Sequence, residues 1–245
     1  MSEPTLYLIP STLAAGDPIQ VLPASVLATA TTLDHFVAER ARSARAFLKA
    51  IGHPKPLQGI AIEELHEHTP TKRIPALLAP LRAGFSCGLL AEAGCPAVAD
   101  PGAPLVLLAH EAGMRVKPLV GPSAIMLALM ASGMQGQRFA FRGYLPAAKR
   151  DREQQLGMLE AESQHRDETQ IFIETPYRNL QLFESVVACC GAHTLLCVAS
   201  DLTGSGEQVT TRPVAHWRRS TLPALAKRPT VFLLYAPRGS AQRRR

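Results

Sequence analysis

The sequence predicts an α/β protein of two domains, with a mainly parallel sheet in the first and a mixed sheet in the second. Three observations predict it. Strand-length apolar runs alternate with helix-period segments from Thr5 to Val120, the rhythm of βαβ units. Near Gly121 that rhythm resets, and later strand candidates follow one another at hairpin-like spacing. The chain has 245 residues, enough for one large or two small domains with real hydrophobic cores. The expected domains are therefore 1–118 and 119–245.

Each element has a local reason. Thr5–Pro10 (TLYLIP) is a continuous apolar run and reads as a buried strand. Thr32–Ala38 is a second strand candidate, and Glu39–Ile51, rich in Ala and Arg, reads as a helix stopped by Gly52. Gln58–Ile62 reads as a short strand and Thr71–Arg82 as a helix with Pro75 near its start. Ser86–Leu90 is a strand, Pro104–Ala112 a helix ended by Gly113, and Arg115–Val120 a strand. Beyond the reset, Pro122 suits the first turn of a helix running to Ser132. Strand Arg138–Phe141, helix Ala147–Gln164, strand Thr169–Glu174 and helix Tyr177–Cys190 come next. Strands Thr194–Ser200, Glu207–Arg212 and Thr230–Tyr235 follow.

Composition excludes several classes. At 47% hydrophobic and 19% charged, the chain has the balance of a globular enzyme rather than a disordered segment. No apolar run approaches the roughly 18 residues of a membrane span. The start, Met-Ser-Glu-Pro-Thr, lacks the pattern of a signal peptide. Cysteines 87, 95, 189, 190 and 197 are odd in number and form no CxxC. The expectation is a cytoplasmic protein with reduced thiols, no structural metal and no membrane partner.

The net charge of +6 is unevenly spread. Residues 1–118 hold ten Lys and Arg against ten Asp and Glu, so the second half carries the whole excess. Arg238 and Arg243–Arg245 supply part of it. Such a half either faces a polyanion or ends in a solvated tail, and composition does not choose.

Three segments can carry chemistry. Gly88–Gly102 (GLLAEAGCPAVADPG) runs from an apolar strand into a turn-rich stretch with two acids, where open α/β sheets bind ligands. Glu92 and Asp100 can accept hydrogen bonds from a ribose or amine, or cap the helix that follows, and an acid before Pro-Gly is on its own a common turn. Pro118–Ala124 (PLVGPSA) ends a strand and opens a helix whose free N–H groups can hold an anion. Phe141–Pro146 (FRGYLP), followed by Lys149, Arg150 and Arg152, suits a nucleotide or phosphate chain. There is no GxGxxG, GxxxxGK[ST] or GxSxG, which argues against dinucleotide binding, P-loop phosphoryl transfer and α/β-hydrolase chemistry. His66-Glu67-His68 lacks HExxH spacing.

Taken in order, these segments resemble the tetrapyrrole methylase superfamily and, within it, the ribosomal RNA small subunit methyltransferase I family. Where the family typically reads S-D-A-G-T-P-x-x-x-D-P-G, this chain reads Ala91-Glu92-Ala93-Gly94-Cys95-Pro96, then Asp100-Pro101-Gly102. P-x-P-G-P-[CS]-A is met by Pro118–Ala124, and F-x-G-F-L-P by Phe141–Pro146. [FY]-E-[SA]-x-x-R is met by Ile173-Glu174-Thr175-Pro176-Tyr177-Arg178. Two segments depart. The family's T-P-I-G-N-L is Ile9-Pro10-Ser11-Thr12-Leu13 here, and A-E-D-T-R is Ala38-Glu39-Arg40-Ala41-Arg42.

The resemblance implies a two-domain tetrapyrrole methylase-like fold and a homodimer. It also implies S-adenosylmethionine as cofactor and a ribose 2′-hydroxyl of small-subunit rRNA as acceptor. A tetrapyrrole or other small acceptor, or a cofactor-binding RNA-binding protein without catalysis, are the alternatives that the two departures leave open. The cofactor would contact Leu90, Ala91, Glu92, Ala93 and Gly94, with Asp100, the turn Gly121, Pro122, Ser123 and Ala124, and Tyr144. A ribose hydroxyl is a poor nucleophile, so a general base is expected, with Glu39 and Glu174 as candidates. Either can instead be a structural carboxylate paired with Arg40, Arg42 or Arg178. Arg42, Lys149, Arg150 and Arg178 are the expected substrate-binding residues.

Overall fold

The computed structural model describes residues 3–238. The chain divides into two compact units, residues 1–123 and 124–245. The linker after residue 118 stays with the first unit for a physical reason. The Leu119 N–H donates to the Leu8 carbonyl at 3.0 Å, and Gly121 packs directly on the Pro10 ring.

The first unit is built on strands β1 (Thr5–Ile9), β2 (His35–Ala38), β3 (Ala61–Glu64), β4 (Cys87–Leu90) and β5 (Arg115–Pro118). They form one parallel sheet in the order β3-β2-β4-β1-β5. Side chains alternate across the pleat, so the sheet feeds two cores. Ile9, Phe36, Ala38 and Leu90 pack on one face against helices α2 (Ala24–Ala30) and α3 (Ala41–Ala50). Leu6, Val37, Cys87 and Leu89 pack on the other against α4 (Ala79–Arg82) and α5 (Ala103–Glu111). A four-residue helix, α1 (Pro18–Val21), precedes α2. The crossover from β1 to β2 therefore lies on one face and that from β4 to β5 on the other. β1 and β4 are neighbours, so their carboxyl ends flank a topological switch point.

In the second unit α6 (Ala124–Ser132) leads into β6 (Phe139–Tyr144), α7 (Lys149–Arg166), β7 (Thr169–Ile173) and α8 (Asn179–Cys189). Strands β8 (Leu195–Ser200) and β9 (Gln208–Pro213), helix α9 (Val214–Trp217) and β10 (Thr230–Tyr235) complete it. The sheet order is β6-β7-β10-β8-β9, with β6 and β7 parallel and the other pairs antiparallel. Its core holds Leu156, Leu182, Phe183 and Trp217, with Phe172 and Phe232 stacked at 6.1 Å between ring centres. Among the described residues, no helix is long and apolar enough to cross a membrane.

Several elements differ from the sequence reading. Thr71–Leu78 is a 3-10 helix rather than α, passing into the short α4, because Pro75 and Pro80 remove N–H donors from the ladder. The strand expected at Gln58–Ile62 is a 3-10 turn, Leu57–Gly59, followed by β3. Only His35–Ala38 of Thr32–Ala38 is extended, since the Thr31 and Thr32 hydroxyls bond carbonyls at the end of α2. Helices α1 and α2 went unread because Pro18 and Pro23 look like breakers. They sit instead at the first helical position and at the cap, where no N–H is required. Pro122 precedes α6 rather than lying within it.

Candidate active site

The parallel register of the first unit brings four exits to one edge: Ser11 after β1, Glu39 after β2, Ala91 after β4 and Leu119 after β5. At the switch point the two exits are tied. The Ser11 N–H donates to the Gly94 carbonyl at 2.9 Å and its hydroxyl to the Ala91 carbonyl at 3.1 Å. Ser11 lies in a segment that departs from the family pattern, and no sequence rule pointed to this latch. Gly94 has φ +71°, a conformation that favours glycine. The Cys95 thiol lies 3.4 Å from the Pro122 carbonyl, so the Gly94 turn and the Gly121–Pro122 turn touch. A Cβ on Gly121 would stand 2.2 Å from Cγ of Pro10, so only glycine allows this approach.

The loop after Gly94 is held by one carboxylate. Asp100 Oδ1 accepts from the Ala97 N–H at 2.9 Å and the Gly102 N–H at 2.7 Å. Between these anchors Ala97 and Ala99 adopt φ of +64° and +60°, which costs a non-glycine residue of order 1–3 kcal/mol. Asp100 thus braces the turn and is not the N-cap residue of α5, which is Gly102. Burial holds its carboxyl above the usual range, and the two N–H donors oppose this.

Glu39 shares this edge. Burial, and next the Glu92 carboxylate, push its carboxyl above the usual range; Arg40 opposes this, while Asp100 and Glu67 add to it. Glu92 Oε2 accepts from the Ser43 hydroxyl at 3.1 Å. Beside these groups a cleft of about 320 Å³ runs along α3, with Ser11, Ala38, Ser43, Phe47, Leu90 and Ala91 in its wall. That volume lies within the range of small-molecule sites, about 300–1,000 Å³.

The second unit gathers another group. β6 and β7 are parallel, and Tyr144 pairs with Ile173, so Tyr144 and Glu174 lie at one sheet edge. Tyr144 is exposed, as is Tyr177. The Glu174 side chain is 1% exposed, and its Oε1 accepts from Arg178 Nη2 at 2.7 Å and from the Thr175 N–H at 2.6 Å. Its Oε2 and the Arg178 Nε are buried without hydrogen-bond partners. Glu174 is therefore the paired carboxylate that the sequence offered as its alternative. Lys149 reaches Glu153 at 3.8 Å, and Arg150 is exposed. Arg152 does not belong to a phosphate-facing cluster. It is 4% exposed and donates to Ser185 Oγ and to the Ala147 and Pro146 carbonyls. A buried guanidinium needs such a set of acceptors. Among the described residues no three His, Cys, Asp or Glu side chains form a metal-sized cluster.

No protein-family model matches the chain. Relatives do, over part of their length. The ribosomal RNA small subunit methyltransferase I of Mesorhizobium japonicum is 33% identical over 224 residues, covering 91% of this chain and 69% of the relative. This chain belongs to the ribosomal RNA small subunit methyltransferase I family. The Haemophilus influenzae member is 32% identical over 82% of this chain and 68% of its own length. The Escherichia coli O157:H7 member is 39% identical over 61% of this chain, a match that spans about half of that relative, 51%. Solved structures agree on the fold. The methyltransferase CobJ superposes with a TM-score of 0.62 at 18% identity, over 100% of this chain and 97% of that one. Diphthine synthase superposes at 0.66 with 14% identity, over 95% and 90%. The fold is the two-domain one of the tetrapyrrole methylases.

The residues of this family member fit a sulfonium nucleoside. The Gly94 and Gly121 turns meet at the switch point, and the Glu39 and Glu92 carboxylates stand beside a cleft of suitable size.

Proposed function

We propose that this chain is an S-adenosylmethionine-dependent methyltransferase acting on a ribose 2′-hydroxyl of small-subunit rRNA, in the cytoplasm and as a homodimer. The observation that carries the reading is Glu39, a carboxylate at the switch-point edge whose proton affinity is raised by burial and by Glu92, in a chain of this family. The cofactor supplies an electrophilic methyl on a positively charged sulfur.

The protein's work is then to align and to deprotonate. Main chain at Leu90–Gly94 and Gly121–Ser123 holds the donor. Proximity contributes several kcal/mol, up to roughly 7–11 in well-oriented systems. Glu39 accepts the hydroxyl proton, an effect of about 10²–10⁴-fold. Arg42 and Arg150 meet phosphates. Glu174 orients Arg178 rather than taking a proton.

Two measurements test the reading. S-adenosylmethionine at 100-fold over Kd should stabilise the chain by about 2.7 kcal/mol in thermal denaturation. Labelled methyl should then appear in small-subunit rRNA, at a ribose. Cofactor binding with no label in any RNA overturns the acceptor, and no cofactor binding overturns the whole reading.

A further inference from the structure

We propose that the outer face of α3 is a phosphate rail, the surface on which the substrate RNA strand lies as it enters the cleft. The proposal rests on the rRNA reading above and names a surface that charge bookkeeping by halves conceals.

The first half of the chain is neutral in sum, yet its charges are segregated. α3 reads ARSARAFLKA and contains three cations and no acid, with Arg40 immediately before it. Arg40, Arg42, Arg45 and Lys49 are all exposed. Among the described residues no carboxylate comes within ion-pair distance of any of them; the same holds for Lys72, Arg73, Arg82 and Lys117 of this unit, but α3 places three such cations on one helix face, while Lys55 and Arg115 have partners. At 3.6 residues per turn, positions 42, 45 and 49 fall within a stripe about 60° wide. The opposite face is committed to the core through Ala44 and Leu48.

α7 shows what an ordinary charged helix of this protein looks like. It holds four Lys and Arg and four Asp and Glu, and two of the cations pair within the helix, Lys149 with Glu153 and Arg166 with Glu162. A solvated face needs no net charge, so α7 cancels its own; α3 leaves its cations open.

Position gives the stripe its partner. α3 starts two residues after Glu39, and its Ser43, Phe47 and Ala50 form one wall of the 320 Å³ cleft. From Arg42 to Lys49 the helix advances about 10 Å, a length comparable to a few nucleotides of a single strand. The ends of the stripe therefore match a short run of consecutive phosphates leading to the carboxylate edge. At the foot of the helix Glu64 accepts from the Ala41 N–H at 2.8 Å and Glu92 from the Ser43 hydroxyl at 3.1 Å, and among the described residues neither makes an ion pair with the stripe.

The test uses the full chain and a fluorescent single-stranded 12-nucleotide RNA, with anisotropy read across a salt series. Each lost phosphate contact flattens the log–log salt slope by about 0.7 for a single strand. The triple variant Arg42→Gln, Arg45→Gln, Lys49→Gln should flatten it by about 2, and Arg45→Gln alone by about 0.7. The charge-matched control Lys72→Gln, Arg73→Gln, Arg219→Gln, at exposed cations elsewhere, should leave the slope unchanged. Thermal stabilisation by S-adenosylmethionine should persist in every variant. Unchanged slopes in the α3 variants, or polyglutamate competing as strongly as RNA, overturn the rail. In a chain that still methylates rRNA, that result leaves the catalytic reading standing. A chain that binds no RNA loses both.

Discussion

Glu39 retains its proton to higher pH than a free carboxylate, and a base works only after losing it. The acid limb of the methyl-transfer rate should therefore lie above the range of an ordinary glutamate. Glu92→Gln removes a negative charge that raises Glu39, so that limb should move to lower pH; an unmoved limb in a pH–rate profile would assign the proton elsewhere. Glu39→Gln should slow transfer about 10²–10⁴-fold while cofactor binding, read by thermal shift, is kept. The sequence made Glu39 and Glu174 equal candidates. The structure separates them by partner: Glu174 is buried against Arg178, and Glu39 faces other carboxylates. No linear pattern carries that distinction, because Glu92 and Asp100 approach Glu39 through the β2–β4 pairing and Glu67 through the β2–β3 pairing. Arg152 was misread for the same reason, since its acceptors lie on α8 and in the turn before α7.

The loop between β4 and α5 stores unfavourable backbone that Asp100 offsets. Asp100→Ala leaves two N–H groups without their acceptor, and the expected loss is about 1–3 kcal/mol in urea denaturation. Gly121→Ala drives a Cβ into a rigid proline ring, so it should cost about 1–3 kcal/mol and weaken S-adenosylmethionine binding, measured by thermal shift. A variant that binds the cofactor as before would show that the Gly121 turn does not form its site. At this scale the sequence was most readable where a single period ran unbroken. Strands β1, β4, β7, β8 and β10 and helices α3, α5, α7 and α8 lie within a few residues of expectation. It was least readable where prolines accumulate, at Pro18, Pro23, Pro75 and Pro80, since one residue type both starts helices and breaks them.

Each unit owns its core, and the only tryptophan, Trp217, sits in the second, beside Phe183 at 5.3 Å. Phe232→Ala removes one of two stacked rings and should cost about 3–5 kcal/mol in that unit. Tryptophan fluorescence should then report unfolding at lower denaturant than far-ultraviolet dichroism, which averages both units; coincident transitions would mean that the units unfold together. The expected basic tail, Arg243–Arg245, lies outside the described residues, while Arg238 is bound to the Gln164 and His165 carbonyls. The strand order of the first sheet has a consequence during synthesis. β1 takes both of its neighbours from later in the chain, Leu6 opposite Cys87 and Thr5 opposite Arg115. At about 5–20 residues per second, the amino-terminal strand waits roughly 4–16 s for its first partner to be translated. For that interval an apolar ribbon with two open edges leaves the ribosome tunnel unsheltered, and nascent-chain chaperones have a defined window in which to hold it.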